Sequence, residues 1–284
     1  MAKRVARFRF CRIGLIACLL AFAFGCSRAP VESIRWNVMG TIAAVQTKGG
    51  IGETKATFSE SKAVFKRIET LLNAHSPTSE ITKLSKLANT DVLIKCTPFV
   101  RPCYEAAFMF QDLTKGAFNP RWRGDKTLDL GAIAKGFAVD KASDKLLEGK
   151  VNVPCLIDLG GNLKAVSGQW NVGIKSPWGE GMAAFVDLHE GEALATSATY
   201  FRCNHISDAR TGKVVSNGVA SVTVLCRSAM MADGLSTSLF VLGPEEGRLL
   251  LVSIAPNPAF GEVSVFWIME DGRVFGDGRF KQKR

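Results

Sequence analysis

Three short segments carry residue types and spacings that suit phosphate and metal chemistry. In Asp233-Gly234-Leu235-Ser236-Thr237, Asp233 and Thr237 stand at i and i+4. On a helix their oxygens share one face, opposite the stripe that holds Leu235. A carboxylate and a hydroxyl are hard oxygen donors of the kind Mg2+ takes. An exposed Asp beside a Thr bonded back onto its own helix fits the same residues. In Leu128-Asp129-Leu130-Gly131-Ala132-Ile133-Ala134-Lys135-Gly136, a short apolar strand ends at Asp129 and turns through Gly131 into a helix. The free amides at such a helix start attract anions, and Lys135 stands one turn in, which suits a phosphate or pyrophosphate. A capped helix with a solvated lysine also fits. In His205-Ile206-Ser207-Asp208-Ala209-Arg210-Thr211-Gly212, the Asp, Thr and Gly make a turn. His205 changes charge near neutral pH, so it is either a general base or a histidine bonded to its own turn.

A fourth segment, Asp158-Leu159-Gly160-Gly161-Asn162, sets two glycines after an apolar strand. They permit a hairpin turn, the more economical reading, or the close approach of a ligand to backbone. Other chemistries find no support. The chain has no GxxxxGK[ST], HExxH or GxSxG pattern. Its three histidines, His75, His189 and His205, argue against a multi-histidine zinc site. The run Gly179-Glu180-Gly181-Met182-Ala183-Ala184 imitates a dinucleotide fingerprint. That fingerprint needs a following helix, whereas Phe185-Val186-Asp187-Leu188 reads as a strand.

The elements that position these segments come in irregular order. Strands are expected at Thr41–Thr47, Val151–Leu159, Leu163–Val166, Trp170–Ile174, Ala184–Leu188 and Ser221–Leu225. Helical spacing covers Glu53–Leu72, a short helix capped by Ser79 and running through Leu87, and a run opened by Pro98 and reaching Leu113. Further helices are expected over Gly131–Leu147, Ser228–Leu242, and from Pro244 to about Ser253. A hairpin around Asp271-Gly272 joins Glu262–Met269 to Arg273–Phe275. This mixture predicts an α+β fold in a single compact catalytic domain, not a doubly wound parallel sheet.

The formal charge is +10, from 36 Lys+Arg against 26 Asp+Glu. Five of the positive charges (Lys3, Arg4, Arg7, Arg9 and Arg12) precede residue 26 with no acidic residue among them. A chain starting at Cys26 is therefore only mildly basic, which gives a nucleic-acid role no support. Hydrophobic residues, 47% of the chain, suffice for a sizeable core. The basic start, the apolar stretch Ile13–Phe24 and Gly25-Cys26 have the layout of a secretory signal. Its ending looks like a bacterial lipoprotein signal with Cys26 lipidated, an ordinary cleaved signal being the alternative. The expected organisation is a signal over 1–25, a short tether over 26–35 and the catalytic domain over 36–284. Beyond Cys26, the five cysteines Cys96, Cys103, Cys155, Cys203 and Cys226 cannot all pair and form no CxxC, so most are expected as buried thiols. Cys96 and Cys103 are close enough in sequence to pair.

Taken in order, eight stretches resemble the ApbE family, the FAD:protein FMN transferases. They are Met39-Gly40-Thr41, Ser76 through Ile81, Gly116-Ala117-Phe118-Asn119-Pro120, Asp129 through Gly136, Leu159-Gly160-Gly161-Asn162, Ala195-Thr196-Ser197, His205 through Gly212, and Ala232 through Thr237. The resemblance runs from about Trp36 to Gly243 and implies an ApbE-like, T-fold-like arrangement of mixed sheets with packed helices. It also implies Mg2+-dependent cleavage of FAD at its pyrophosphate, transfer of FMN to a Thr or Ser of a partner flavoprotein, and release of AMP. The implied acceptor is a flavin-carrying subunit of a membrane electron-transport complex. The implied location is the periplasmic face of the cell envelope, on a lipid anchor.

Residue by residue, the resemblance makes Asp233 and Thr237 metal side chains and Ala132 the donor of a backbone carbonyl to the metal. It makes Met39, Ala117, Phe118, Asn119, Asp129, Lys135 and Ile206 FAD contacts, with His75 against the flavin ring, where the family usually has Tyr. His205 matches the histidine that assists the attacking hydroxyl. Asn119 replaces a usual Asp, and the stretch between Pro120 and Asp129 is shorter than usual. Within it, Arg121 and Arg123 are either phosphate contacts or solvated charges. Two rival functions use the same site: an FAD pyrophosphatase yielding FMN and AMP, and a non-catalytic FAD-binding lipoprotein.

Overall fold

The computed structural model describes residues 30–49, 51–124, 127–199 and 206–282. Cys26, Cys203 and His205 lie outside them, as does the expected signal. An eight-stranded antiparallel sheet runs in the order β1 (Val31–Val38), β2 (Thr41–Lys48), β3 (Cys155–Leu159), β4 (Asn162–Ser167), β7 (Ala193–Ala198), β10 (Val219–Cys226), β11 (Ser264–Met269) and β12 (Val274–Gly276). One face carries the helices α1 (Ile51–Leu72), α5 (Ala134–Glu148) and α6 (Ala229–Ile254), with α2 (Glu80–Leu84), α3 (Asn89–Lys95) and α4 (Arg101–Leu113) packed alongside. The other face is covered by a small sheet of β5 (Trp170–Lys175), β6 (Met182–Leu188) and β13 (Phe280–Gln282). The pair β8 (Ser207–Asp208) and β9 (Lys213–Val214) stands apart. The result is the expected α+β fold, in three layers.

Strand alternation divides the core accordingly. On β3, Cys155, Ile157 and Leu159 face the helices, while Leu156 faces the small sheet. Strand β10 is buried at every position because both of its faces are covered. Two tight turns end at the same edge of the large sheet. Met39-Gly40 joins β1 to β2, and Gly160-Gly161 joins β3 to β4, all four with positive φ. Gly160 also lies so close to Thr41 that an added Cβ would sit 2.5 Å from its hydroxyl oxygen.

Several expected elements shift. Strand β1 begins at Val31, inside the stretch expected as tether, and pairs with β2 along its whole length. Helix α4 begins at Arg101 with Pro102 in its first turn, and Pro98 lies in the turn before it. Ser79 caps α2 as expected, but that helix ends at Leu84. Helix α5 starts at Ala134 because 131–133 form a turn. β3 starts at Cys155, four residues after the expected strand. Helix α6 breaks at Gly243 (φ 75°) and resumes at Pro244, as the two expected helices require. Strand β7 and helix α3 were not expected. Cys96, Cys103, Cys155 and Cys226 are all free and buried. Burial raises their thiol pKa values, to about 12 for Cys155 and Cys226, so they are unreactive and the Cys96–Cys103 pairing is not formed.

Candidate active site

Helices α5 and α6 meet backbone to side chain. At Gly136 an added Cβ would fall on the Ala229 carbonyl and 2.7 Å from Asp233 Cβ, so only glycine fits there. The Gly136 amide donates to Asp233 Oδ2 at 2.9 Å. In an uninterrupted helix that amide would bond the Ala132 carbonyl four residues back. The diversion leaves the Ala132 carbonyl without a hydrogen-bond partner among the described residues. Lys135 Nζ stands 3.6 Å from Asp233 Oδ1 and donates to the Gly131 carbonyl at 3.3 Å. The Asn162 side chain, at the start of β4, lies near enough to favour the ionised Asp233 carboxylate.

Asp233 is only 4% exposed, and its burial corrects the expectation of a polar helix face opposite the Leu235 stripe. Up to its break at Gly243, helix α6 is buried nearly all round, between the sheet on one side and α4 and α5 on the other. Burial raises the Asp233 pKa, against the opposing pull of the Lys135 charge, the Gly136 amide and the nearby Asn162 side chain. Thr237 does not bond back onto its helix. Its hydroxyl pairs with Ser197 Oγ of β7 at 3.2 Å, and Ser197 also meets Ser236 Oγ at 2.9 Å. One carboxylate, one hydroxyl and one unpartnered backbone carbonyl form a hard oxygen set of the kind Mg2+ accepts. Among the described residues there is no group of three or more His, Cys, Asp or Glu that could hold a metal. The oxygen set of Ala132, Asp233 and Thr237 contains a single carboxylate and falls outside that pattern. The buried, unpaired Oδ1 of Asn162 beside it shows that the site retains acceptor capacity the protein does not use.

The approach to α5 is equally specific. Asp129 Oδ1 accepts from the Gly131 amide at 2.9 Å, while Oδ2 accepts from Trp122 Nε1 at 3.2 Å and Arg123 at 3.3 Å. The Asp129 amide bonds the Pro120 carbonyl at 2.8 Å and so closes the short loop. Arg121 is neither a phosphate contact nor a solvated charge. Its guanidinium bonds the Ser85 and Leu87 carbonyls and Asn89 Oδ1, tying the loop to the α2–α3 junction. Arg123 is spent on Asp129 and the Trp122 ring. Asn119 caps the Arg121 amide at 2.8 Å. Ala117 and Phe118 are buried, with Phe118 against Phe110, so any ligand contact from them comes through backbone.

The Ala209 amide bonds the Ala117 carbonyl at 3.3 Å, which lays the turn after His205 on the Ala117–Asn119 segment. Ile206 packs on the main core from within that turn. Arg210 grips Asp208 through both carboxylate oxygens and reaches Glu246 of α6 at 3.0 Å. Met39 holds a left-handed backbone (φ 51°), and its amide bonds Glu69 Oε1 of α1 at 2.8 Å. A non-glycine residue there costs about 1–3 kcal/mol, a strain found where a site needs it. His75 is exposed beyond the end of α1, and its amide bonds locally, to Asn73 Oδ1 at 2.9 Å.

The structure thus gathers Ala132, Lys135, Asp233 and Thr237 at one crossing and Asp129 at the loop leading into it. Ala117, Phe118, Asn119 and Ile206 form a second group, and Met39 lies at the sheet edge. His75 stands apart from both groups. Ser197, given no role by the sequence, bonds the candidate metal side chain Thr237. Nothing in the sequence marks it out, since its strand also holds Thr196.

A family model described as the ApbE family matches residues 121–259. An FAD:protein FMN transferase of Klebsiella pneumoniae is 39% identical over 42% of this chain, a stretch spanning 40% of that relative's length. The FAD:protein FMN transferase of Treponema pallidum is 27% identical over 93% of this chain and 92% of its own. That of Haemophilus influenzae is 25% identical over 82% and 87%. Among solved structures, the ApbE protein of Thermotoga maritima superposes with a TM-score of 0.74 at 23% identity, covering 88% of this chain and 97% of that one. The flavin transferase ApbE of Vibrio cholerae gives 0.69 at 21% identity, covering 88% and 98%. At these identities the structural likeness is one of fold. Over residues 121–259 the chain is similar to the ApbE family, and along most of its length it is similar to FAD:protein FMN transferases at 25–27% identity.

Proposed function

We propose that this chain is an FAD:protein FMN transferase that splits FAD at the pyrophosphate, joins FMN through its phosphate to a Thr or Ser of a partner protein, and releases AMP. Relatives aligned over four-fifths or more of both chains bear the transferase name, and this chain is an enzyme of that kind. The observation that carries the finer reading is the diverted Gly136 amide, which sets a buried carboxylate beside a free carbonyl where the helix with Lys135 begins. Ala132, Asp233 and Thr237 would hold Mg2+, which supplies charge neutralisation for the pyrophosphate. Lys135 holds a phosphate oxygen through Nζ; the Ala134 and Gly136 amides are already taken by the Leu130 carbonyl and by Asp233. Asp129 fixes the turn into α5 and keeps Arg123 beside it. His205 takes the acceptor hydroxyl's proton on an imidazole nitrogen, a contribution of ~10²–10⁴-fold.

We further propose that the chain is exported, lipidated at Cys26 and active on the periplasmic face, with a flavin-carrying subunit of a membrane electron-transport complex as acceptor. The basic-then-apolar start ending in Gly25-Cys26 supports this. Among the described residues no helix is long and apolar enough to cross a membrane. The test incubates the purified chain with FAD, Mg2+ and an acceptor domain carrying a flavinylation Thr, following AMP and acceptor mass together. AMP with a matching FMN mass gain is the expected result. AMP with free FMN and an unmodified acceptor would replace the proposal with an FAD pyrophosphatase. Bound FAD with no AMP would leave a non-catalytic flavin-binding lipoprotein.

A further inference from the structure

The short loop between Pro120 and Asp129 presents one large side chain that the fold does not bury. Trp122 is 39% exposed, although an indole gains more from packing than most side chains. The ring is nevertheless held in place. Its Nε1 donates to Asp129 Oδ2 at 3.2 Å, and the Arg123 guanidinium lies over it, 4.9 Å from the ring centre. Among the described residues no other ring or cation covers it. The backbone beneath is fixed as well. The Trp122 amide bonds the Asn119 carbonyl at 3.1 Å, and the Gly124 amide bonds the Arg121 carbonyl at 3.0 Å. Arg121 then ties the loop to the Ser85 and Leu87 carbonyls, far away in sequence. Trp178, the other strongly exposed indole, has only a backbone bond within its own hairpin.

Trp122 also stands beside the candidate phosphate site. Asp129 holds the indole through Oδ2 and the Gly131 amide through Oδ1, and the Gly131 carbonyl accepts from Lys135 Nζ. A single carboxylate and a single glycine therefore separate the indole from that lysine. An aromatic face is a general support for nucleotide rings, and a guanidinium on its far side adds to it. We propose that Trp122 is a stacking platform for one of the two planar ring systems that flank the pyrophosphate of FAD, with Arg123 backing the indole and Asp129 fixing its angle. The inference rests on the FAD reading above and adds a binding residue to it. It explains why so exposed a loop is so firmly anchored: a ring that is already immobile loses little further freedom when a ligand stacks on it.

Calorimetric titration of ADP and of FMN into the purified full chain, with Mg2+ present, tests this without turnover. Trp122→Ala should weaken at least one of the two by roughly 5- to 150-fold, the range for losing one base–aromatic stack. A loss for ADP places adenine on the indole, and a loss for FMN places the flavin there. Trp122→Phe keeps a ring face and loses the bond to Asp129, so it should retain most of that affinity. Inorganic pyrophosphate has no ring and should bind both variants as it binds the unaltered chain. With FAD as substrate, Trp122→Ala should raise KM by a larger factor than it lowers kcat. Unchanged ADP and FMN affinities in Trp122→Ala would overturn the inference alone. Equal losses in the Ala and Phe variants, or a matching loss for pyrophosphate, would overturn it too, because the indole would then act only through its bond to Asp129. If the unaltered chain binds neither ADP, FMN nor pyrophosphate, the FAD reading fails, and this inference with it.

Discussion

Two mostly buried aspartates link α5, α6 and β4, and the chain treats them in opposite ways. Asp140 of α5 sits at the start of α6 and accepts four bonds: from Ser228 Oγ at 2.7 Å, the Ala229 and Met230 amides at 3.0 Å each, and Lys164 Nζ at 2.7 Å. Every donor comes from the chain. The carboxylate fills the anion site that the α6 N-terminus would otherwise offer to a ligand. Asp233, one turn further along α6, has a single backbone donor and a lysine at 3.6 Å. That distance is longer than a hydrogen bond. The first node is closed and holds the helices. The second is the less satisfied and sits beside a carbonyl released from its helix. A structural carboxylate and a ligand site are thus told apart by whether the protein completes the hydrogen bonding itself.

Removing each carboxylate should therefore produce opposite signatures. Asp233→Ala takes away the only charged oxygen donor of the metal set. The metal's contribution is several kcal/mol, so Mg2+-dependent turnover of FAD should fall by roughly 10³-fold or more. The unfolding temperature in EDTA should hold or rise, because a buried charge has been removed. Turnover that persists with Mg2+ would show that Asp233 does not serve the metal. Asp140→Ala should do the reverse. It leaves Lys164 mostly buried without its charged partner and the Ala229 and Met230 amides without their acceptor, at a cost of about 3–5 kcal/mol. Urea unfolding should register that loss equally with and without Mg2+. A loss that Mg2+ repairs would mean that Asp140, too, belongs to a ligand site.

Gly136→Ala strikes the contact between the two nodes. The added methyl meets the Ala229 carbonyl and the Asp233 side chain, and neither is a flexible end that can step aside. Overpacking of this kind costs about 1–3 kcal/mol. The helices must part, so the Gly136 amide should also lose Asp233 and return to the Ala132 carbonyl. Calorimetric Mg2+ affinity should fall together with stability. Unchanged affinity in a destabilised variant would separate packing from the site.

Much of this was legible in the sequence, and the rest failed for identifiable reasons. Asp233, Thr237, Lys135 and the turn at Asp129 were singled out by residue type and helical spacing, and the structure gathers them around the α5–α6 crossing. The Gly136–Asp233 bond spans 97 positions, and no periodicity reports a contact at that separation. The burial of Asp233 was misjudged because a Leu stripe implies a polar face opposite. The better signal is that Asp233 is the sole charged residue between Ala229 and Leu242, in a run of small and apolar residues. Strand β7 escaped notice because Ala193–Ala198 has no aromatic residue and a single β-branched one, Thr196, among small residues. Arg121 read as a loop charge, since carbonyls that accept its guanidinium leave no trace in a sequence.

The smallest expected effect concerns the other side of the open node. Ser197 Oγ bridges the hydroxyls of Ser236 and Thr237, and Ser236 Oγ is also within 3.0 Å of the Asp233 carbonyl. A Thr hydroxyl that donates to Ser197 turns its lone pairs away from that bond and toward the candidate metal position. Ser197→Ala removes the bonds to both hydroxyls; the one to Thr237 is worth about 0.5–1.5 kcal/mol, and its loss frees that hydroxyl to rotate. Ser236 keeps its own bond to backbone, so the fold should barely respond. Mg2+ affinity should drop by about 2- to 10-fold, which is the same energy read through the ligand. Ser197→Thr restores the hydroxyl and should restore affinity, provided that its methyl is accommodated. If Ser197→Ala lowers the unfolding temperature in EDTA but leaves Mg2+ affinity unchanged, the hydroxyl chain is packing, and the open node ends at Asp233.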